Sequence, residues 1–339
     1  MASVVAKVYR GSLVESVHYG DWVICDAQGR IVFSQGDPHY VTFFRSAAKP
    51  IQAIPIVELG VADAYGFTTA ELAVMCASHS GEAEHVQTVQ SILNKIGLDH
   101  TALQCGIHLP KDKAVLQRVL QSGQPINELY NNCSGKHAGM LAICMYQGWD
   151  INTYTTPEHP LQQLLAQYVS EFCQVPREQL IIGVDGCGVP VFGCALDQMA
   201  RAYARLVTGE GLPPERAQAA ERVTTAMRMH PSLVAGSNQI CTDLMRAFSQ
   251  YRLVAKAGAE AVYCVGLPDR GWGLALKIED GNSRAISAIV LAILKQLGYS
   301  GDNEIIRKYD PLVITNHHQQ VVGMIVADIE QVAFERVMR

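Results

Sequence analysis

Strand-like sequence lies at the two ends of this chain and helical sequence in its middle, and this arrangement limits the folds open to it. Within about the first 35 of 339 residues, SLVESVHYG, DWVICD and RIVFSQG alternate apolar and polar positions, with Asp26-Ala27-Gln28-Gly29 as a turn. From 47 to about 250 the apolar positions recur at helical spacing, as in 50–59, 71–77, 161–172, 197–206 and 216–229, with Gly and Pro between them. Strand-like runs return at 252–256, 261–265 and 273–278, a helix is expected at 283–297, and PLVITNHHQQVVGMIVADI reads as a hairpin turning at 316–319. Sheet residues from both ends must then pair around the helices, which makes the expected class α+β, an antiparallel sheet from both chain ends with a mainly helical insertion. The sheet-bearing part is set at about 1–65 and 230–339 and the helical part at about 66–229, within a single unit spanning 1–339. The one linker-like stretch, TGEGLPPE, is too short to separate domains.

Apolar residues make up 49% of the chain and charged residues 17%, a balance that repays chain entropy by burial. The net charge of −5, with no run of five like charges, argues against a nucleic-acid partner. The most apolar stretch, AISAIVLAIL, is far shorter than the roughly 18–20 residues of a bilayer span and reads as a buried helix, so no membrane association is expected. The first ten residues lack the cationic and apolar segments of a secretory signal, which points to the cytoplasm. Most of the ten cysteines lie in apolar runs, such as Cys144 in MLAICMY, and are expected to be reduced thiols. Cys133 and Cys187 differ, lying in the glycine-rich segments NNCSGKHAG and VDGCGVP.

Three segments carry residues suited to chemistry. Ser46 and Lys49 stand three apart where HYVTFF runs into a helix, a spacing that lets hydroxyl and amine meet on one face. A lysine kept neutral by burial or by a second cation, such as adjacent Arg45, can take the serine proton; otherwise the pair is a helix cap and a solvated lysine. In Ala77-Ser78-His79-Ser80-Gly81-Glu82 a glycine and small hydroxyl residues permit close backbone approach to a ligand, and Glu82 could hold an ammonium group. The same stretch would also serve as a hydroxyl turn or cap before a helix at 82–96, with His79 either a proton shuttle or a structural histidine. In Asn132-Cys133-Ser134-Gly135-Lys136-His137, Cys133 would face Lys136 and His137, and Cys187 could approach from another loop. Two thiolates and a nitrogen make a zinc shell, and composition alone favours His137, because a metal must displace the proton of a lysine. The alternative is two reduced thiols beside a turn. Neither phosphate-binding glycine motif occurs, nor does H-E-x-x-H.

Ser46-x-x-Lys49, Tyr130-Asn131-Asn132 and Lys256-Ala257-Gly258 follow the chain order of the three motifs of penicillin-binding proteins and class A β-lactamases, whose architecture the helical insertion also fits. Ala257 stands where a hydroxyl would help bind a carboxylate, which counts against β-lactam specificity. The segments FFRSAAKPIQA, ASHSGEAEHV, LQCGIHLP, NNCSGKHAGML, GVDGCGVP, RMHPSLVAG, KAGAEAV and GLALKIEDGNSRA together resemble the rhizobial-type, class 3 L-asparaginases, the asparaginase II family. The resemblance extends over essentially the whole chain. It implies a fold similar to serine β-lactamases and glutaminases, and hydrolysis of L-asparagine to L-aspartate and ammonia.

By that resemblance one catalytic pair maps to Ser46 and Lys49, and a second to Lys256 with Ser78, Ser80 being the weaker match. It also implies a zinc ion on Cys133, Lys136 and Cys187, aiding substrate binding more than the chemical step, and a homodimer. The departure is Ala261, where glycine is expected after GAE. The expected scheme has neutral Lys49 taking the Ser46 proton during attack on the side-chain amide, with Ser78 and Lys256 relaying a proton to ammonia. Either serine can make the covalent bond, since each has a lysine to serve it. From charge, Arg45 is assigned to the substrate carboxylate and Asp185 or Glu82 to its ammonium, with Ser80 and Asn132 as further substrate-binding residues. The rivals are a glutaminase-like or β-lactamase-like hydrolase, and a non-catalytic protein that binds zinc or an amino acid.

Overall fold

The computed structural model describes residues 2–110, 112–123 and 125–330. The end of the sheet-bearing segment, 331–339, lies outside the described residues. The chain opens with β1 (Ser3–Arg10), β2 (Leu13–Asp26), β3 (Ile31–Gln35) and β4 (Val41–Phe43). The middle contributes β5 (Ile181–Val184) and β6 (Pro190–Ala195) among its helices. The sheet resumes with β7 (Val254–Ala257), β8 (Val262–Leu267) and β9 (Trp272–Ile278), and ends with β10 (Leu312–Thr315) and β11 (Val321–Ala327). The architecture is α+β, with an antiparallel sheet drawn from both chain ends, as the alternation at the termini requires.

The large sheet runs β10-β11-β1-β2-β9-β8-β7, with β3 also paired to β2. β2 organises it. Its outer half, exposed at Leu13–Glu15, pairs with β1, while its inner half is buried from Asp21 to Cys25 and pairs with β3 and β9. The sequence records this passage as alternation giving way to the unbroken apolar run WVIC, since a strand covered on both faces has no polar side to show. The Leu196–Thr208 helix packs on β2, β8 and β9, and the Ile286–Gln296 helix packs on β1 and β11.

The remaining strands form a second sheet, β4-β6-β5, of which β5 and β6 lie inside the region expected to be helical. This differs from the sequence expectation for a physical reason: β6 is buried at every position, so PVFGCA is a short apolar run that periodicity cannot tell from a buried helical turn. The small sheet has a definite task. Its edge strand β4 leads directly into Arg45-Ser46, with Phe44 N–H donating to Phe192 O at 2.8 Å, and its β5–β6 turn is Asp185–Val189. Among the described residues, no helix is long and apolar enough to cross a membrane. All ten cysteines are buried free thiols.

Candidate active site

The centre of the site is the Ser78 hydroxyl. Lys49 Nζ lies 3.1 Å and Lys256 Nζ 2.8 Å from Ser78 Oγ, and both lysines are only 1% exposed. Lys49 Nζ also donates to Ala77 O at 2.6 Å and to Cys133 Sγ at 3.2 Å, so its three protons have three acceptors and the geometry is that of an ammonium. Lys256 comes from β7, the edge strand, and its other contact is to Ala257 O at 2.7 Å. Burial, then the neighbouring Lys49 charge, brings Lys256 down to about 7. With Lys256 neutral, the Ser78 hydroxyl accepts from Lys49 and donates to Lys256. One serine is thereby presented with a base and a cation at once.

Local sequence explains how Ser78 is held there. The Thr69–Met75 helix ends just before it, Ser78 N–H donates to Val234 O at 3.0 Å, and His79 N–H donates to Asn132 O at 3.2 Å. Glu82 takes 2.8 Å bonds from Ser80 Oγ and Ser237 N–H and a 2.7 Å bond from Ser237 Oγ. Burial pushes Glu82 up, but these donors hold it below the usual carboxylate range. Both its oxygens are occupied in fastening the loop, which places it as a clamp. The RMHPSLVAG stretch, which carried no role from sequence, supplies the Val234 carbonyl that holds Ser78, and Ser237 of the clamp directly follows it. His79 is buried, receives Gly81 N–H at Nδ1 and meets Ser134 Oγ at 2.8 Å; burial, then His85, push it well below the ordinary imidazole range. It has the surroundings of a structural histidine.

Ser46 lies in the 3₁₀ turn Arg45–Ala48, which runs directly into the Lys49–Glu58 helix. The spacing of three does not produce the expected Ser46–Lys49 hydrogen bond among the described residues, because the buried Lys49 amine reaches past Ser46 to three converging acceptors. Ser46 nevertheless opens into the same cavity as Ser78, Ser80, Asn132 and Lys256, a space of about 510 Å³. Arg45 and Asp185 are paired with each other at 2.9 Å and border a smaller void of about 10 Å³ behind Ser46. Burial pushes Asp185 up, but Lys136 and then Arg45 hold it below its usual range.

The β5–β6 turn brings Cys187 to Cys133, which immediately precedes the Ser134–Gln147 helix. A hydrogen bond from the Cys187 thiol, with Lys49 and Lys136 nearby, holds Cys133 well below the ordinary thiol range, while the same contact and burial push Cys187 up. Lys136 Nζ donates to Cys187 Sγ at 3.0 Å, whereas His137 Nδ1 meets the Tyr154 hydroxyl at 2.6 Å. Lys136, not His137, is therefore the nitrogen bonded to Cys187, while the amine on Cys133 Sγ is that of Lys49. Among the described residues no group of three or more His, Cys, Asp or Glu side chains could hold a metal, since the third donor here is an amine. Two sulfurs and one nitrogen, all buried, suit zinc once the lysine proton is displaced.

The β7–β8 connection closes the cavity on the Lys256 side. The β7–β8 register leaves 259–261 between bonded Gly258 and Val262, and within this turn Glu260 and Ala261 have φ of +58° and +53°, left-handed values that favour glycine or asparagine. This gives a physical meaning to the alanine noted at 261. A left-handed non-glycine residue costs roughly 1–2 kcal/mol, partly offset here by burial of the Ala261 methyl group. Ala261→Gly is expected to stabilise the protein by about 0.5–1 kcal/mol, read from the urea midpoint; a loss of stability would show that the turn is unstrained.

The family model for L-asparaginase II matches residues 6–327. None of the curated proteins matches the chain in sequence. Among solved structures, a β-lactamase from Mycobacterium bovis is similar at 12% identity and TM-score 0.38, over 82% of this chain and 94% of that one. Mglu, in its tris and glutamate form, is similar at 15% identity and TM-score 0.36, over 87% of this chain and 63% of that one.

Proposed function

The chain belongs to the L-asparaginase II family, and from that premise we propose that it hydrolyses the side-chain amide of L-asparagine to L-aspartate and ammonia with Ser78 as nucleophile. The observation that carries this reading is the Ser78 hydroxyl held between two buried lysines in a cavity that also contains Ser46. Neutral Lys256 takes the Ser78 proton as Oγ attacks the amide carbon, and the Lys49 ammonium stabilises the charge that develops on Oγ. Lys256 then returns the proton to the departing nitrogen, which leaves as ammonia. The β-aspartyl ester on Ser78 is hydrolysed by water, Lys256 acting as base again. Ser46 attack through Lys49, the scheme expected from spacing, lacks the hydrogen bond that would start it.

Cys133, Lys136 and Cys187 would hold the zinc ion that the family resemblance implies, and the bound ion would supply positive charge to two sulfurs beside Lys49. The free thiols support a cytoplasmic location, and the family resemblance supports a homodimer.

The test is ammonia release from L-asparagine, with L-glutamine and Ser78→Ala in parallel. Release from asparagine that is lost in the variant supports the reading. Release from glutamine alone would replace the substrate, and equal rates in variant and parent would remove Ser78 from the chemistry.

Activity should fall in acid. Lys256 must be neutral to accept a proton, so kcat/KM is expected to rise with pH through about 7 and to be lost below it. Lys49→Met removes the neighbouring charge that lowers Lys256, so the acid limb should move to higher pH. An acid limb that stays in place in that variant would assign it to another group.

A further inference from the structure

Glu260 is the sole carboxylate lining the cavity that holds Ser46, Ser78 and Lys256, among the described residues. An amino-acid substrate brings an ammonium group into that space, and the other candidate partners are committed. Glu82 is fastened to Ser80 and Ser237, and Asp185 is paired with Arg45 outside the cavity. The Glu260 carboxylate makes no hydrogen bond or ion pair among the described residues, although its backbone is firmly placed. Lys277 Nζ donates to Glu260 O at 2.6 Å and to Ile278 O at 2.7 Å, and it feels the Glu260 charge without bonding the carboxylate. Gly281 leaves room for the acid: a methyl group there would come within 2.6 Å of Glu260 Oε2. The turn carrying Glu260 keeps two consecutive non-glycine residues in left-handed conformations, four residues beyond the catalytic lysine. Strain of this kind persists where the surrounding structure over-determines it, as it does at ligand clamps.

We propose that Glu260 receives the α-ammonium group of the substrate at the rim of the cavity, an inference that rests on the asparaginase reading for the amide chemistry but not for the charge recognition. Its consequence is selectivity for free amino acids over amides that lack the ammonium group.

The experiment compares the parent enzyme with Glu260→Gln and Glu260→Asp on L-asparagine and on succinamate, the same amide without the ammonium group. Loss of a charge-assisted contact should raise KM for asparagine about tenfold or more in Glu260→Gln, with kcat within about threefold and the kinetics on succinamate unchanged. Glu260→Asp should recover part of the loss. Equal losses on both substrates would mark a structural role and overturn the proposal, as would an unchanged KM for asparagine. Calorimetric binding of L-aspartate and succinate to the same proteins separates this from the hydrolytic reading. Should the parent release no ammonia, weaker aspartate binding in Glu260→Gln with succinate unaffected still supports the assignment. Identical aspartate binding in both, or none in the parent, overturns it.

Discussion

Ser78→Ala is expected to lower kcat on L-asparagine by about a thousandfold or more while leaving the fold intact. The hydroxyl removed is the one that lies within hydrogen-bond reach of both buried amines, and an alanine methyl fits the space it vacates. Lys256→Met should fall by a similar factor, because a nucleophile without its base and a base without its nucleophile are equally idle. The Ser78→Ala/Lys256→Met double variant should then be no worse than either single one, since residues acting as a unit are not additive. Multiplying losses would mean that the two act in separate steps. Peptide mass analysis of acid-quenched enzyme provides the direct check: a β-aspartyl adduct on the peptide containing Ser78 agrees with the mechanism, and one on the peptide containing Ser46 reverses the assignment.

Gly135→Ala is expected to be among the most damaging single changes to the fold. An added methyl group would lie 2.2 Å from Val74 O and 2.8 Å from Val74 C, and a helix backbone cannot turn aside as a flexible side chain would. The Ser134–Gln147 helix must shift, at a cost of about 2–4 kcal/mol. The damage should reach the chemistry too, because Gly135 lies between Cys133 and Lys136 while Val74 is four residues before Ser78. The distances from Lys49 to Cys133 and to Ala77 span that contact. A urea midpoint that falls with unchanged slope, together with lower activity, is the expected result. Stability within about 0.5 kcal/mol of the parent would show that the helices yield freely.

The outer architecture was legible because its signals are local. Alternation marks β2 and β3, and the polar turn at 316–319 divides β10 from β11, whereas β1 carried no such reading. Helices at Pro160–Cys173 and Pro214–Met229 match their apolar periodicity closely. The residue types of the site were legible as well, since Ser46, Ser78, Lys256 and the CSGK and GCG segments all stood out. Their pairing was not. Which acceptor a lysine finds depends on where three lone pairs converge in space, and Lys49 finds Ala77, Ser78 and Cys133 at separations of 28, 29 and 84 residues. β5 and β6 of the small sheet escaped because β6 is short and buried throughout, yet their turn carries Cys187 and Asp185 to Lys136 and Arg45. Glu260 escaped for the opposite reason, being one more exposed acid in a turn whose left-handed geometry Glu-Ala does not advertise.

The strand order of the large sheet bears on how the protein is made. β2 cannot gain its partner β9 until residue 278 has been synthesised, and β1 waits for β11 until 327. The first strands to leave the ribosome are thus among the last to be fully paired, with apolar Trp22–Cys25 uncovered meanwhile. Such late closure slows folding and prolongs the exposure of sticky edges. The proposed nucleophile obeys the same timetable, because Lys256 reaches Ser78 only from a strand hung on that closing sheet. A nascent chain therefore carries Ser78 without its lysine, and on the proposed mechanism amide cleavage becomes possible only as one of the final events of its maturation.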